Sequence, residues 1–104
     1  MEVELRDYEI IPGHMDDFLA GWRTGVMPLR HQAGFRLAGA WVDNEHHRFV
    51  WVLAYDGPDS FDVADDRYHA LPARASLNPE PSDFIKEARR TRVTPVSPNV
   101  VPSE

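Results

Sequence analysis

The 104-residue sequence contains no cysteine. That excludes disulfides, thiolate nucleophiles and cysteine-ligated iron–sulfur clusters, and it suits a reducing compartment. No apolar run approaches the roughly 20 residues that a membrane-spanning helix needs. The opening stretch MEVELRDYEIIPG lacks the basic segment and apolar core of a signal peptide. Basic blocks are missing too. Lys and Arg number 11 against 17 Asp and Glu, giving a formal charge of −6, the wrong sign for a surface that tracks nucleic-acid phosphates. There is no P-loop, dinucleotide fingerprint or nucleophile elbow, so no cofactor is expected. The acidic run DGPDSFDVADD lacks the loop spacing of a calcium site, and the five histidines lack the spacing of a metal site. These absences leave a cytoplasmic protein with no nucleic-acid or membrane partner, long enough for one domain and one core.

What is present is strongly patterned. Residues 3–11 alternate imperfectly and end at Pro12-Gly13, as a strand does. From His14 the period changes. Met15, Phe18, Leu19, Trp22, Val26 and Leu29 recur at helical spacing, with acids in the first turn and Pro28 as a kink or stop. Gly34 closes the segment. Residues 35–43 and 48–56 then read as a hairpin that is apolar on both faces. If odd positions pair with odd, Trp41, Trp51 and Tyr55 share the side of the larger residues. Ala40, Val42, Val50, Val52 and Ala54 form the other side.

Asp59 or Ser60 can cap a second helix marked by Phe61, Ala64, Tyr68 and Leu71. Pro72 restarts it as a short piece, and NPEP breaks it. Ser82 can cap a last turn, DFIKEA, before a final strand over 89–96. Its Arg90 and Arg92 would face Glu2 and Glu4 of the first strand. The order strand, helix, strand, strand, helix, strand predicts an α+β, ferredoxin-like βαββαβ fold with a four-stranded antiparallel sheet. The domain should cover 1–97, with an irregular tail over 98–104. Helices on one sheet face leave the smaller-residue face bare. A second copy of the same sheet, related by a two-fold axis, is the economical cover.

Three stretches, YEIIPGHMDDFLAGW, PLRHQAGFRLAGAWVDNEHHRFVWVLAYDG and FDVADDRYHALPAR, resemble the NIPSNAP family over nearly the whole chain. Tyr68, Pro72 and Arg74 match its Tyr-x-x-Ser-Pro-x-Arg pattern, with Leu71 at the serine position. The resemblance implies a dimeric α+β barrel and no set chemistry.

His31 and His69, each near the end of a helix that faces the sheet, are the candidate acid–base groups, with Tyr68 beside them. Trp41, Trp51 and Tyr55 are candidate walls of a pocket. Arg30 and Arg74 are candidate clamps for a carboxylate, although pairing with an acidic neighbour explains them as simply. Three readings follow. In the first, a homodimer joined through the sheet face binds a small, largely apolar or carboxylate ligand between helices and sheet, with cofactor-free proton transfer or oxygenation. In the second the same pocket binds without chemistry, and in the third the dimer is a protein-interaction or structural module. A cavity holding His or Arg in a perturbed environment favours an enzyme, and a filled core favours interaction.

Overall fold

Alternation over Glu2–Ile10 builds strand β1. A computed structural model describes residues 1–96, so the boundary expected at 97 and the tail over 98–104 lie outside the described residues. After β1 come helix α1 (Met15–Gly21), a π-helical turn (Trp22–Val26) and helix α2 (Met27–Gln32). The hairpin strands are β2 (Phe35–Asp43) and β3 (Arg48–Tyr55). Helices α3 (Phe61–His69) and α4 (Pro72–Ala75) follow, then a 3-10 turn (Pro81–Phe84) and strand β4 (Ile85–Val93). All strand pairs are antiparallel and the sheet order is β2-β3-β1-β4, the expected ferredoxin-like topology. Among the described residues no helix is long and apolar enough to cross a membrane.

The first helical segment does not end at Pro28. Its backbone stays helical across both junctions, and the Met27 N–H reaches back five residues to the Trp22 carbonyl. Proline lacks an N–H and crowds the carbonyl four residues earlier. The wide turn just before Pro28 relieves both demands, so the helix runs on to Gln32. Phe18, Trp22, Val26 and Arg30 are spaced by four, wider than the 3.6-residue helical repeat, and all are buried. The π turn absorbs that drift and brings Arg30 round to the inner face. Gly34 then reverses the chain at φ +92, a conformation suited to glycine.

The hairpin register differs from the expected odd-with-odd pairing. Phe35 pairs with Tyr55 and Leu37 with Leu53, but Gly39 pairs with Val52, Ala40 with Trp51 and Trp41 with Val50. One extra residue at Ala38 makes a bulge, and a one-residue slip moves every following side chain to the opposite face. Trp41 therefore leaves the side of Trp51 and Tyr55. It is 57% exposed on the helix-free face, while Ala40 and Val42 turn in and pack on the core.

The last strand also differs, running over Ile85–Val93 and not over 89–96. DFIKEA is not helical after Phe84, because β4 begins at Ile85 and pairs with β1 from Ile10 down to Val3. Glu80, not Ser82, caps the preceding turn, its carboxylate accepting from the Ser82 N–H at 2.8 Å. A register shift near Lys86 and the exposure of an edge strand hide the alternation that would mark β4 in the sequence. Arg90 lies opposite Arg6 and donates to Asp65 instead of pairing with Glu2 or Glu4, while two other expectations hold. Ser60 caps α3 by accepting from the Val63 N–H, and Arg92 bonds Glu2 at 2.8 Å and Glu4 at 3.4 Å.

Aromatic rings fill the space between helices and sheet. Phe49 meets Phe18 at 4.9 Å and Trp22 at 5.0 Å between ring centroids, both edge to face. Phe35 packs similarly on Phe61 at 5.3 Å. Phe49 is fully buried at the meeting of β1, β3 and α1. Phe49→Ala should cost about 3–5 kcal/mol, read as a lowered urea midpoint with an unchanged slope; a loss under about 1 kcal/mol would mean that the core lies elsewhere.

Candidate functional site

The even-numbered residues of β1 point toward the helices, and two of them are buried charges, Glu4 and Arg6. Arg6 lies opposite Trp51 on β3 and Arg90 on β4, and Tyr8 lies opposite Ala88. Helices reach this patch from above with Phe18, Trp22, Val26 and Arg30. Tyr68 and His69 of α3 and Arg74 of α4 close the flank. Between them lies a cavity of about 430 Å³.

Its charge is organised by Asp65, buried on the inner face of α3. One carboxylate oxygen accepts from Arg30 Nη1 at 2.6 Å and from Arg6 Nη2 at 3.3 Å. The other accepts from Arg90 Nη1 at 3.4 Å. Arg6 is held from its far side by Glu4, Nε to Oε1 at 2.8 Å. Burial alone would push the Asp65 carboxyl up, but the charges and hydrogen bonds of Arg30 and Arg6, with His69 nearby, outweigh it. The group is held below the usual carboxylate range. Burial and the adjacent Arg6 charge act on Arg30 in the opposite sense to Asp65 and leave its guanidinium below its ordinary value. Arg30 also stacks on aromatic faces, its Cζ 3.7 Å from the Tyr68 ring centroid and 4.7 Å from that of Phe35.

Tyr68 is fully buried, and burial raises its phenol above the usual value despite Arg30 and Arg74 nearby. It is a proton donor at neutral pH, not a base. Its hydroxyl lies beside Arg74 but in no hydrogen-bond geometry with it. Arg74 is instead gripped by Glu80 at 2.5 and 3.2 Å. His69 Nδ1 lies 2.9 Å from the Asp65 backbone carbonyl, which only accepts. That bond fixes the proton of a neutral imidazole on Nδ1 and leaves the Nε2 lone pair available.

Five of the eight residues expected at a site therefore gather at one cavity: Arg30, Trp51, Tyr68, His69 and Arg74. Three do not. The bulge puts Trp41 on the far side of the sheet. Tyr55 faces the helices but packs on Phe35, 5.1 Å between centroids, beyond the cavity. His31 follows Arg30 on the helix and so turns outward as Arg30 turns in. It is exposed beside a separate recess of about 40 Å³. Sequence reasoning missed Arg6, Asp65 and Arg90 as parts of the site. Asp65 carried a signal, a carboxylate on the same helical stripe as Phe61, Ala64 and Tyr68. Arg6 carried one as well, in phase with Tyr8 and Ile10.

The NIPSNAP family model matches residues 3–98. A NIPSNAP domain protein from Burkholderia xenovorans superposes with a TM-score of 0.79 at 23% identity, over 93% of this chain and 96% of that one. A NIPSNAP family protein from Agrobacterium tumefaciens gives 0.81 at 20% identity, over 93% and 96%. An antibiotic biosynthesis monooxygenase has the same fold more distantly, with 0.65 at 23% identity, over 93% and 100%. No curated protein sequence matches the chain.

Asp65→Asn should cost about 3–5 kcal/mol, because it leaves buried guanidinium groups without their counter-charge. The acid limb should change as well. An unfolded Asp titrates near pH 3.9. The lower folded value means that the carboxylate favours folding above that pH, and the contribution is lost as pH falls through the folded value. Urea midpoints measured from pH 7 down to 2.5 should therefore fall less steeply below about pH 4 in the variant than in the parent. Equal slopes would remove Asp65 from this role.

Proposed function

The chain belongs to the NIPSNAP family, and we propose that it is a homodimer, joined through the helix-free face of the sheet, that binds a small, largely apolar molecule between its helices and its sheet. The observation that carries the pocket is the cavity of about 430 Å³, floored by Trp51 and walled by Trp22, Phe18 and Val26. That volume lies in the ordinary range for a small-molecule site, and aromatic walls with a few convergent polar groups are its usual lining. Arginines in a perturbed environment and a histidine favour chemistry over a purely structural module.

The chemistry these walls suit is cofactor-free proton transfer. His69 Nε2 would accept a proton from an acidic C–H or O–H of the ligand, and the arginine wall would hold the resulting anion. Such an anion is also the species from which oxygenation by dioxygen starts. The antibiotic biosynthesis monooxygenase of the same fold makes that the second chemistry to test.

The dimer rests on the other face. Val50 and Val52 are half-buried there, Leu5 lies between the strands that carry Val52 and Thr91, and Trp41 stands exposed beside Val50. The face also carries the Asp7–Arg48 ion pair, and its apolar part is what would pack on a second copy.

Two measurements test the reading. Sedimentation should give a dimer for the parent and monomer or aggregate for Val52→Asp, which places an unpaired charge in a dry contact; a monomeric parent at high micromolar concentration would remove the dimer. For the pocket, the neutral fluorophore N-phenyl-1-naphthylamine should brighten on the native protein and saturate at one site per protomer. No change in emission would count against a pocket.

A further inference from the structure

The cavity's polar groups are nearly all of one kind. Among the described residues, the buried side-chain nitrogens and oxygens without a hydrogen-bond partner are Trp22 Nε1, Trp51 Nε1, Arg30 Nε, Arg74 Nε and the Tyr68 hydroxyl. All five belong to residues that line this cavity. Four are N–H groups that can only donate, and the fifth is a phenol kept protonated by burial. Buried donors left unpaired are costly, and the residues that carry all five belong to this one wall.

Charge points the same way. In a chain with a formal charge of −6, the described cavity wall carries Arg6, Arg30, Arg74 and Arg90 and neither Asp nor Glu. The carboxylates that hold these arginines, Asp65, Glu4 and Glu80, are not part of the wall. They fix the guanidinium groups by some of their nitrogens and leave Nε of Arg30 and Arg74 unused.

We infer that the ligand is an organic acid: an apolar body against Trp22, Trp51 and Phe18, and a carboxylate or equivalent oxyanion at the Arg30–Tyr68–Arg74 flank. This inference rests on the pocket reading above and adds its substrate class. A carboxylate brings about four lone-pair sites and no donor, the complement of this wall. The corresponding amide replaces one oxygen by NH₂, which would set donor against donor and carry no charge.

The test is calorimetric titration of the parent protein with two matched pairs, 2-naphthoate against 2-naphthamide and octanoate against octanamide. An aromatic and an aliphatic body are both tried because the walls fit either. In at least one pair the acid should bind tenfold or more tightly than its amide. Tyr68→Phe keeps the ring and removes the hydroxyl, and Arg74→Gln removes a rim cation. Each should weaken the acid fivefold or more and leave the amide within twofold, with circular dichroism and melting confirming that each variant is folded. Acids and amides of equal affinity, with N-phenyl-1-naphthylamine still bound, would overturn the anion inference and leave the pocket standing. Absence of binding by the fluorophore and both pairs would overturn pocket and inference together.

Discussion

The contact between Asp65 and Arg30 is the one on which the rest of the site depends. Its short bond ties α3 to α2, and the same carboxylate reaches Arg6 on β1 and Arg90 on β4. Arg6 and Arg30 could not otherwise be collected in a low-dielectric layer, since both are desolvated and repel each other, while Arg90 joins them from a more exposed position. Arg30 is steadied further by the rings of Tyr68 and Phe35, so its position is set by charge on one side and by π faces on the other. A hydrophobic cluster of the same volume would hold the layers together at least as well. What the ion cluster adds is a cationic wall at a fixed place.

Much of this was legible in the sequence, and the failures have local causes. Helical spacing from Met15 to Leu29, the Ser60 cap and the hairpin around Asn44 sufficed for element order, and strand order follows from the ferredoxin-like connection rules. Two single-residue irregularities were not legible. The π turn before Pro28 and the bulge at Ala38 each insert one residue into a repeat, and no residue type marks either position uniquely. Their effect is large because everything downstream is rotated. The π turn directs Arg30 inward and His31 outward, and the bulge sends Trp41 to the opposite sheet face.

A different blindness hid Arg6 and Asp65. Both sit in phase with the apolar stripe of their element, at the alternating positions of β1 and on the inner face of α3. Reading charge as surface made the in-phase position look like noise. Each residue alone would be implausible in a core, and only the partner makes it stable there. The partner is distant in sequence, 59 residues for Arg6 and 35 for Arg30. Periodicity in a single element cannot reveal such a pair, although a charged residue on an apolar stripe is itself a reason to look for one. Tyr68 and Arg74 were found by another route, the one beside His69 near a helix end and the other as a possible carboxylate clamp, and they fall on the same wall.

The two faces of the sheet are thus chemically distinct, and the bulge is what separates them. Beyond Ala38 it turns the small side chains of Ala40 and Val42 toward the packed core, where Ala40 sits opposite Trp51. The same slip places Trp41 outside, its ring folded so closely over Gly39 that a Cβ there would lie 2.4 Å from it. Gly39 accordingly lets the indole lie flat against the open face instead of standing off it. The described residues lining the cavity lie on the side of the sheet away from Trp41. Pairing across the open face would act on the cavity through its floor, beneath Arg6 and Trp51. The cavity and the open face are thus separate surfaces, joined through the one sheet that both share.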